Sequence, residues 1–213
     1  MSGYQALAKG AGKVPAILVV HENRGLNPHI EDVTRRFALE GFLALAPDAL
    51  SSFGGSPADP EKAIAMIKDL DMEATVKNFA AAAAYLKTHP QSTGKVGVVG
   101  FCWGGAVANY LAVQSTDIIA AVPYYGKQPP TEDVVKIKAS LLLHYAELDE
   151  RINKGIPDLK EALQKAGVEH ELYMYEGTEH AFNNDTNPAR YNKVAAELAW
   201  KRTIDFLTRK LKG

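Results

Sequence analysis

Short apolar runs alternate with amphipathic stretches from about residue 15 onward, which predicts an α/β fold built on a mostly parallel sheet. Several of these runs are apolar without interruption. A strand of that kind is buried on both faces, so helices are expected on both sides of the sheet. No internal repeat, low-complexity tract or linker interrupts the pattern, and residues 1–213 are expected to form one domain.

The first expected strand is Pro15–Val20, followed by a helix that Asn27 caps and Pro28 opens. Glu31 and Asp32 suit the positive end of that helix, and Val33 and Phe37 begin its apolar stripe. A second strand, Phe42–Ala46, leads into Asp48–Pro60, which is rich in serine, glycine, aspartate and proline and has no periodicity. This stretch reads as a surface loop at a strand's C-terminal end, where open α/β sheets place ligands, and is expected to wall the pocket. Alanine-rich Met72–Lys87 is helical by propensity. Strands are expected at Lys95–Val99, Ile118–Tyr124, Ser140–Tyr145 and Glu171–Tyr175, with helices at Trp103–Val113, Ile156–Ala166 and Tyr191–Leu211. In the last helix, Tyr191, Val194, Leu198, Ile204, Leu207 and Leu211 are expected to face inward.

Composition excludes several functions. With 24 basic and 25 acidic residues the formal net charge is -1, which gives no electrostatic reason to expect nucleic acid or an anionic membrane as partner. No apolar segment approaches the roughly 18 residues of a membrane span, and the N-terminal residues lack a secretory pattern, so a cytoplasmic location is expected. A lone cysteine forms no internal disulfide. Gly10-Ala11-Gly12-Lys13 is followed by Val14 and a strand, not by Ser or Thr and a helix, so it is not a phosphate loop. Without C-x-x-C pairs or a histidine cluster, no metal or other cofactor is expected. The sequon Asn184-Asp185-Thr186 is read as accidental.

The chemistry points to Gly100-Phe101-Cys102-Trp103-Gly104-Gly105, which sets the cysteine at a strand-to-helix turn with small neighbours. This arrangement is the nucleophile elbow of α/β-hydrolases with cysteine in place of serine. A thiol nucleophile needs a base, and the base an orienting acid. Asp149 follows Ser140–Tyr145 and His180 follows Glu171–Tyr175, so nucleophile, acid and histidine leave strand ends in the hydrolase order. Glu147, on the same loop, is the competing acid. The loop His21-Glu22-Asn23-Arg24-Gly25 is not a zinc motif, because H-E-x-x-H would need histidine where Gly25 stands. It occupies the place from which such folds supply an oxyanion donor. The backbone N–H groups of Asn23 and Trp103 are the candidates.

Together HENRGL, FLALAPD, GFCWGG, PYYG, the Asp149 loop and EHAF, spread over nearly the whole chain from about Val14, resemble the dienelactone hydrolase family, whose carboxymethylenebutenolidase-like members have the α/β-hydrolase fold. The segment before Val14 looks short for that family, so its N-terminal strands are expected to be reduced. The resemblance implies a cofactor-free hydrolase of enol-lactones or related small esters. Cys102 would attack as thiolate, His180 would shuttle protons and Asp149 would orient it. Glu22 matches the glutamate that helps form the thiolate, and Tyr124 matches a pocket tyrosine. Two departures stand out. Asn184 takes the place of an arginine that grips a substrate carboxylate, and Asp48–Pro60 lacks a second arginine. Tyr124, Arg24 and Asn184 are the candidate substrate-binding residues. Little discrimination between anionic and neutral substrates is expected unless Arg24, Lys127, Arg151 or Arg190 reaches in. A hydrolase of neutral esters or thioesters is the alternative, and a non-catalytic small-molecule binding protein is a third, against which the intact triad weighs.

Overall fold

The computed structural model describes residues 1–213. Seven strands form one sheet: β1 (Gly3–Ala6), β2 (Val14–Val20), β3 (Leu43–Pro47), β4 (Ser92–Phe101), β5 (Ile118–Tyr124), β6 (Ser140–Ala146) and β7 (His170–Tyr175). Their order is β1-β3-β2-β4-β5-β6-β7. Only β1 runs antiparallel, Gly3 to Ala6 pairing with Pro47 to Ala44 of β3. Strand β1 lies at one edge of the sheet.

The helices are α1 (Pro28–Leu39), α2 (Pro60–Lys68), α3 (Met72–Thr88), α4 (Trp103–Gln114), α5 (Glu150–Asn153), α6 (Ile156–Ala166) and α7 (Lys193–Leu211). Alternate residues of β2 feed two cores. Ala16, Leu18 and Val20 pack with Phe79 of α3, Leu111 of α4 and Leu163 of α6. Ile17 and Val19 face the other way, with Phe37 of α1 and Phe206 of α7. Helices cover both faces, as the uninterrupted strands demand. None of them is long and apolar enough to cross a membrane.

Local chemistry accounts for the helix starts. Asn27 accepts the Ile30 N–H at 3.2 Å before Pro28 opens α1, and Asp59 accepts the Glu61 N–H at 2.9 Å before Pro60 opens α2. The expected loop thus becomes helical at its end. Its earlier part is fixed by Asp48, which accepts from the Leu50 N–H and from the N–H and hydroxyl of Ser56. Ser56 Oγ in turn accepts the Leu26 N–H at 2.9 Å. The loop props the segment after β2 and contributes nothing to the wall of the cavity around Cys102.

The inner face of α7 also differs from expectation. Val194 is 77% and Leu198 41% exposed, whereas Ala195, Ala199, Thr203 and Phe206 are buried. Small residues let the helix lie close to the sheet, so they set its rotation and the bulkier Val194 and Leu198 turn outward.

Candidate active site

At the β4–α4 elbow Cys102 has φ 56° and ψ -114°, a left-handed conformation that costs an L-residue energy. The elbow requires glycine around it. A Cβ on Gly100 would sit 2.0 Å from the Gly104 carbonyl oxygen, and one on Gly104 would sit 2.4 Å from that of Val20. Only three non-glycine residues have positive φ: Cys102, Tyr125 and Ala181. All three stand at the same edge of the sheet, just after β4, β5 and the β7 turn. Backbone strain is concentrated at the edge where Cys102 is presented.

Cys102 Sγ lies 3.0 Å from His180 Nε2, and His180 Nδ1 is bonded to Asp149 Oδ2. Asp149 also caps α5, accepting the Ile152 N–H at 3.4 Å, so the start of a helix fixes its carboxylate. Burial works to raise its pKa, but the hydrogen bond and charge of His180 prevail and hold it below the usual aspartate range. Burial likewise works to lower the His180 pKa. The bonds to Asp149 and Cys102 outweigh it and push the imidazole up to about 9. Glu147 does not touch His180. It is exposed and accepts the Gly177 N–H at 2.8 Å, while the Leu148 N–H donates to the Thr178 carbonyl at 2.9 Å. Together these bonds staple the loop carrying the acid to the loop carrying the histidine.

His21, which the sequence left without a role, organises the loop after β2. Its Nε2 accepts the Ala49 N–H at 3.2 Å, so its proton lies on Nδ1, which donates to the Glu22 carbonyl at 2.7 Å. Burial lowers its pKa, which keeps this neutral tautomer. Its ring stacks on Trp103 with centroids 5.3 Å apart. The backbone N–H groups of Asn23 and Trp103 have no partner within the protein, and both residues line the cavity beside Cys102.

Glu22 is buried, and its Oε2 accepts from Asn184 Nδ2 at 2.6 Å. The amide orientation is settled by Thr186, whose N–H and hydroxyl both donate to Asn184 Oδ1. Asn184 is not part of the cavity wall and turns its amide to Glu22. Arg24 is exposed and is also off the cavity wall. Arg190 is likewise absent from that wall and lies 3.8 Å from Glu179.

Tyr124 is a further correction. Its hydroxyl is buried 2.6 Å from Thr203 Oγ1, in a network that joins His144 to the same threonine and to Tyr175, in the core beneath α7. The tyrosine that lines the cavity is Tyr125, whose hydroxyl is buried without a partner. Tyr124 is the last residue of β5 and points into the core, while the chain turns at Tyr125 with φ 38°.

The cavity measures about 400 Å³ and brings Cys102 and His180 together with Ile64 and Ile67 of α2, Met72 of α3 and Tyr125. Lys68, Lys127 and Arg151 also line it. A hollow of about 510 Å³ between α6 and the turn Thr131–Lys136 shares no residue with it and contains neither cysteine nor histidine. No group of three His, Cys, Asp or Glu residues is placed to hold a metal ion.

A parallel sheet with an elbow after β4, and with acid and histidine loops after later strands, is the architecture of the α/β-hydrolases. The model of the dienelactone hydrolase family matches residues 1–211, and the chain belongs to that family. It is 35% identical to protein usf of Aquifex pyrophilus, over 96% of this chain and 91% of that one. It is 34% identical to a Saccharolobus solfataricus protein named "Putative carboxymethylenebutenolidase", over 91% of this chain and 89% of that one. Among solved structures, the Klebsiella pneumoniae protein titled "Putative Dienelactone Hydrolase" superimposes with a TM-score of 0.86 at 27% identity, over 97% of this chain and 92% of that one.

Proposed function

We propose that the chain hydrolyses enol-lactones or related small carboxylic esters through Cys102, His180 and Asp149. The observation that carries this reading is the 3.0 Å approach of His180 Nε2 to Cys102 Sγ on a strained elbow, with Asp149 on the far side of the ring. Asp149 and Cys102 both favour a protonated His180, so the glutamate to which the family resemblance points, and not the imidazole, is read as the site for the thiol proton. Glu22 is the acceptor assigned to it. Cys102 then attacks the carbonyl as thiolate, and the N–H groups of Asn23 and Trp103 receive the developing oxyanion.

As the tetrahedral intermediate collapses, the C–O bond to the leaving oxygen breaks and that oxygen takes the proton from His180 Nε2. The resulting thioester is attacked by water, with the now neutral His180 accepting the water proton. A second collapse breaks the C–S bond and frees the acid. Glu22 returns its proton to the sulfur, and the acid releases one to solvent, leaving the resting enzyme. No metal or redox group enters these steps.

The test is alkylation. Because Cys102 is the only thiol, iodoacetamide should add one label and abolish hydrolysis of p-nitrophenyl esters and a lactone panel. Retained activity in fully labelled protein would overturn the assignment.

A further inference from the structure

His21 takes no part in the chain Cys102–His180–Asp149, yet its ring is fully buried and both of its nitrogens are engaged. Nε2 accepts the Ala49 N–H, in a turn where Asp48 accepts the Leu50 N–H at 2.9 Å, and this places the ring proton on Nδ1. Nδ1 then donates to the Glu22 carbonyl at 2.7 Å, which also receives the Gly25 N–H at 3.3 Å.

That carbonyl and the Asn23 N–H belong to one peptide unit. The unit is planar and trans, so its C=O and N–H point in opposite directions, and a bond that fixes one fixes the other. With the carbonyl drawn toward the buried imidazole, the N–H is turned away from it. Asn23 lines the cavity beside Cys102, and its N–H has no partner within the protein.

The same ring reaches the residue of the second donor. It stacks on Trp103 with 13° between the planes, and Phe79 meets both rings edge-on at centroid distances of 6.3 and 6.5 Å. Backbone packing sets the spacing, since a Cβ on Gly104 would sit 2.4 Å from the His21 carbonyl oxygen.

We infer that His21 is a positioning residue: through the Glu22 carbonyl its imidazole aims the Asn23 N–H at the oxygen on which negative charge develops, and by stacking it holds Trp103 alongside. This rests on the hydrolase reading above. His21 is not part of the cavity wall and touches no reacting atom.

Two substitutions separate aiming from a plain structural role, because each keeps one half of the imidazole. In His21→Asn the amide nitrogen reaches the place of Nδ1 and keeps the donor to Glu22. In His21→Gln the amide reaches the place of Nε2, and its oxygen keeps an acceptor for Ala49. His21→Phe keeps a stacked ring and neither nitrogen. With p-nitrophenyl hexanoate, His21→Gln and His21→Phe should lose about 10- to 100-fold in kcat per folded molecule, the scale of a misplaced donor. The loss should appear equally in kcat/KM, as for an interaction made only in the transition state. His21→Asn should fold and keep at least about tenfold more kcat than His21→Gln.

A hexyl trifluoromethyl ketone reads the hole directly. The Cys102 thiolate adds to its carbonyl carbon, the carbonyl π pair moves to oxygen, and that oxyanion stays bound. Its inhibition constant should rise across the variants in step with the fall in kcat. Equal kcat in the asparagine and glutamine variants, the reverse ranking, or failure to fold in the asparagine variant or in both of the others makes His21 a prop for the loop and overturns the inference. The reading beneath it fails differently: wild-type turnover that survives alkylation of Cys102, or no turnover at all, removes the triad and the hole together, whatever the ranking.

Discussion

Asn184 donates its side-chain amide to Glu22 across 162 residues of sequence, joining the loop after His180 to the loop that carries the Asn23 N–H. A neutral amide here holds the carboxylate without the competing charge an arginine would supply. Glu22→Gln keeps an acceptor oxygen for Asn184, so it should fold and show slower acylation in single-turnover kinetics. Asn184→Leu leaves a buried carboxylate without its donor, a loss of about 1–3 kcal/mol in urea denaturation. An unfolded Glu22→Gln protein would make Glu22 a structural partner only.

The two acids on the β6 loop should separate cleanly. Asp149→Asn is expected to lower kcat by on the order of 10²–10⁴, as for the orienting aspartate of serine hydrolases. Glu147→Gln should cost far less, because Glu147 touches the Gly177 N–H and not the imidazole. The reverse ranking in steady-state assays would reassign the acid.

Backbone strain at the elbow predicts a trade between stability and activity. Cys102→Gly and Cys102→Ala both lose the sulfur, but only glycine relieves the positive φ. Thermal or urea unfolding should therefore find the glycine variant more stable than the alanine variant by about 1 kcal/mol or more. Equal stabilities would mean the elbow is not strained.

His180 and Asp149 give stability opposite pH dependences. The imidazole holds its proton up to about pH 9 in the fold, against roughly 6.5 in the unfolded chain. Its contribution is complete below the unfolded value and is lost as pH rises through 9. Asp149, held below its ordinary value, contributes above roughly pH 3.9 and loses that contribution as pH falls. Urea midpoints measured between about pH 6 and 9.5 should drop more for the wild type than for His180→Gln. Parallel curves would show that the raised imidazole pKa does not stabilise the fold.

The elbow, the two later loops and the main parallel strands were legible because each depends on residues adjacent in sequence. An apolar run before Gly100 and a small residue after Cys102 suffice to mark the turn. Tyr124 and Tyr125 show where such reasoning stops. Both are aromatic neighbours in PYYG, and which one faces the cavity depends on the chain leaving β5 with φ 38° at Tyr125, for which tyrosine carries no local signal. The exposed Val194 and Leu198 illustrate the same limit on α7, where close packing by alanines overrode hydrophobicity. The cavity wall was hidden for a different reason. Ile64, Ile67 and Lys68 lie on a short helix just beyond a loop-like stretch, and their approach to Lys127 and Arg151 is purely tertiary.

The bonds from Glu147 to Gly177 and from Leu148 to Thr178 make the acid and histidine loops a single bracket on adjacent strands. Helix α2, which carries Ile64, Ile67 and Lys68, lies outside that bracket. The α2 part of the cavity wall is therefore separate from the bracket, whereas Arg151 and Ile152 lie on the helix that Asp149 caps. An engineer seeking new substrates has a nine-residue cassette that can be exchanged while the proton-transfer machinery keeps its alignment.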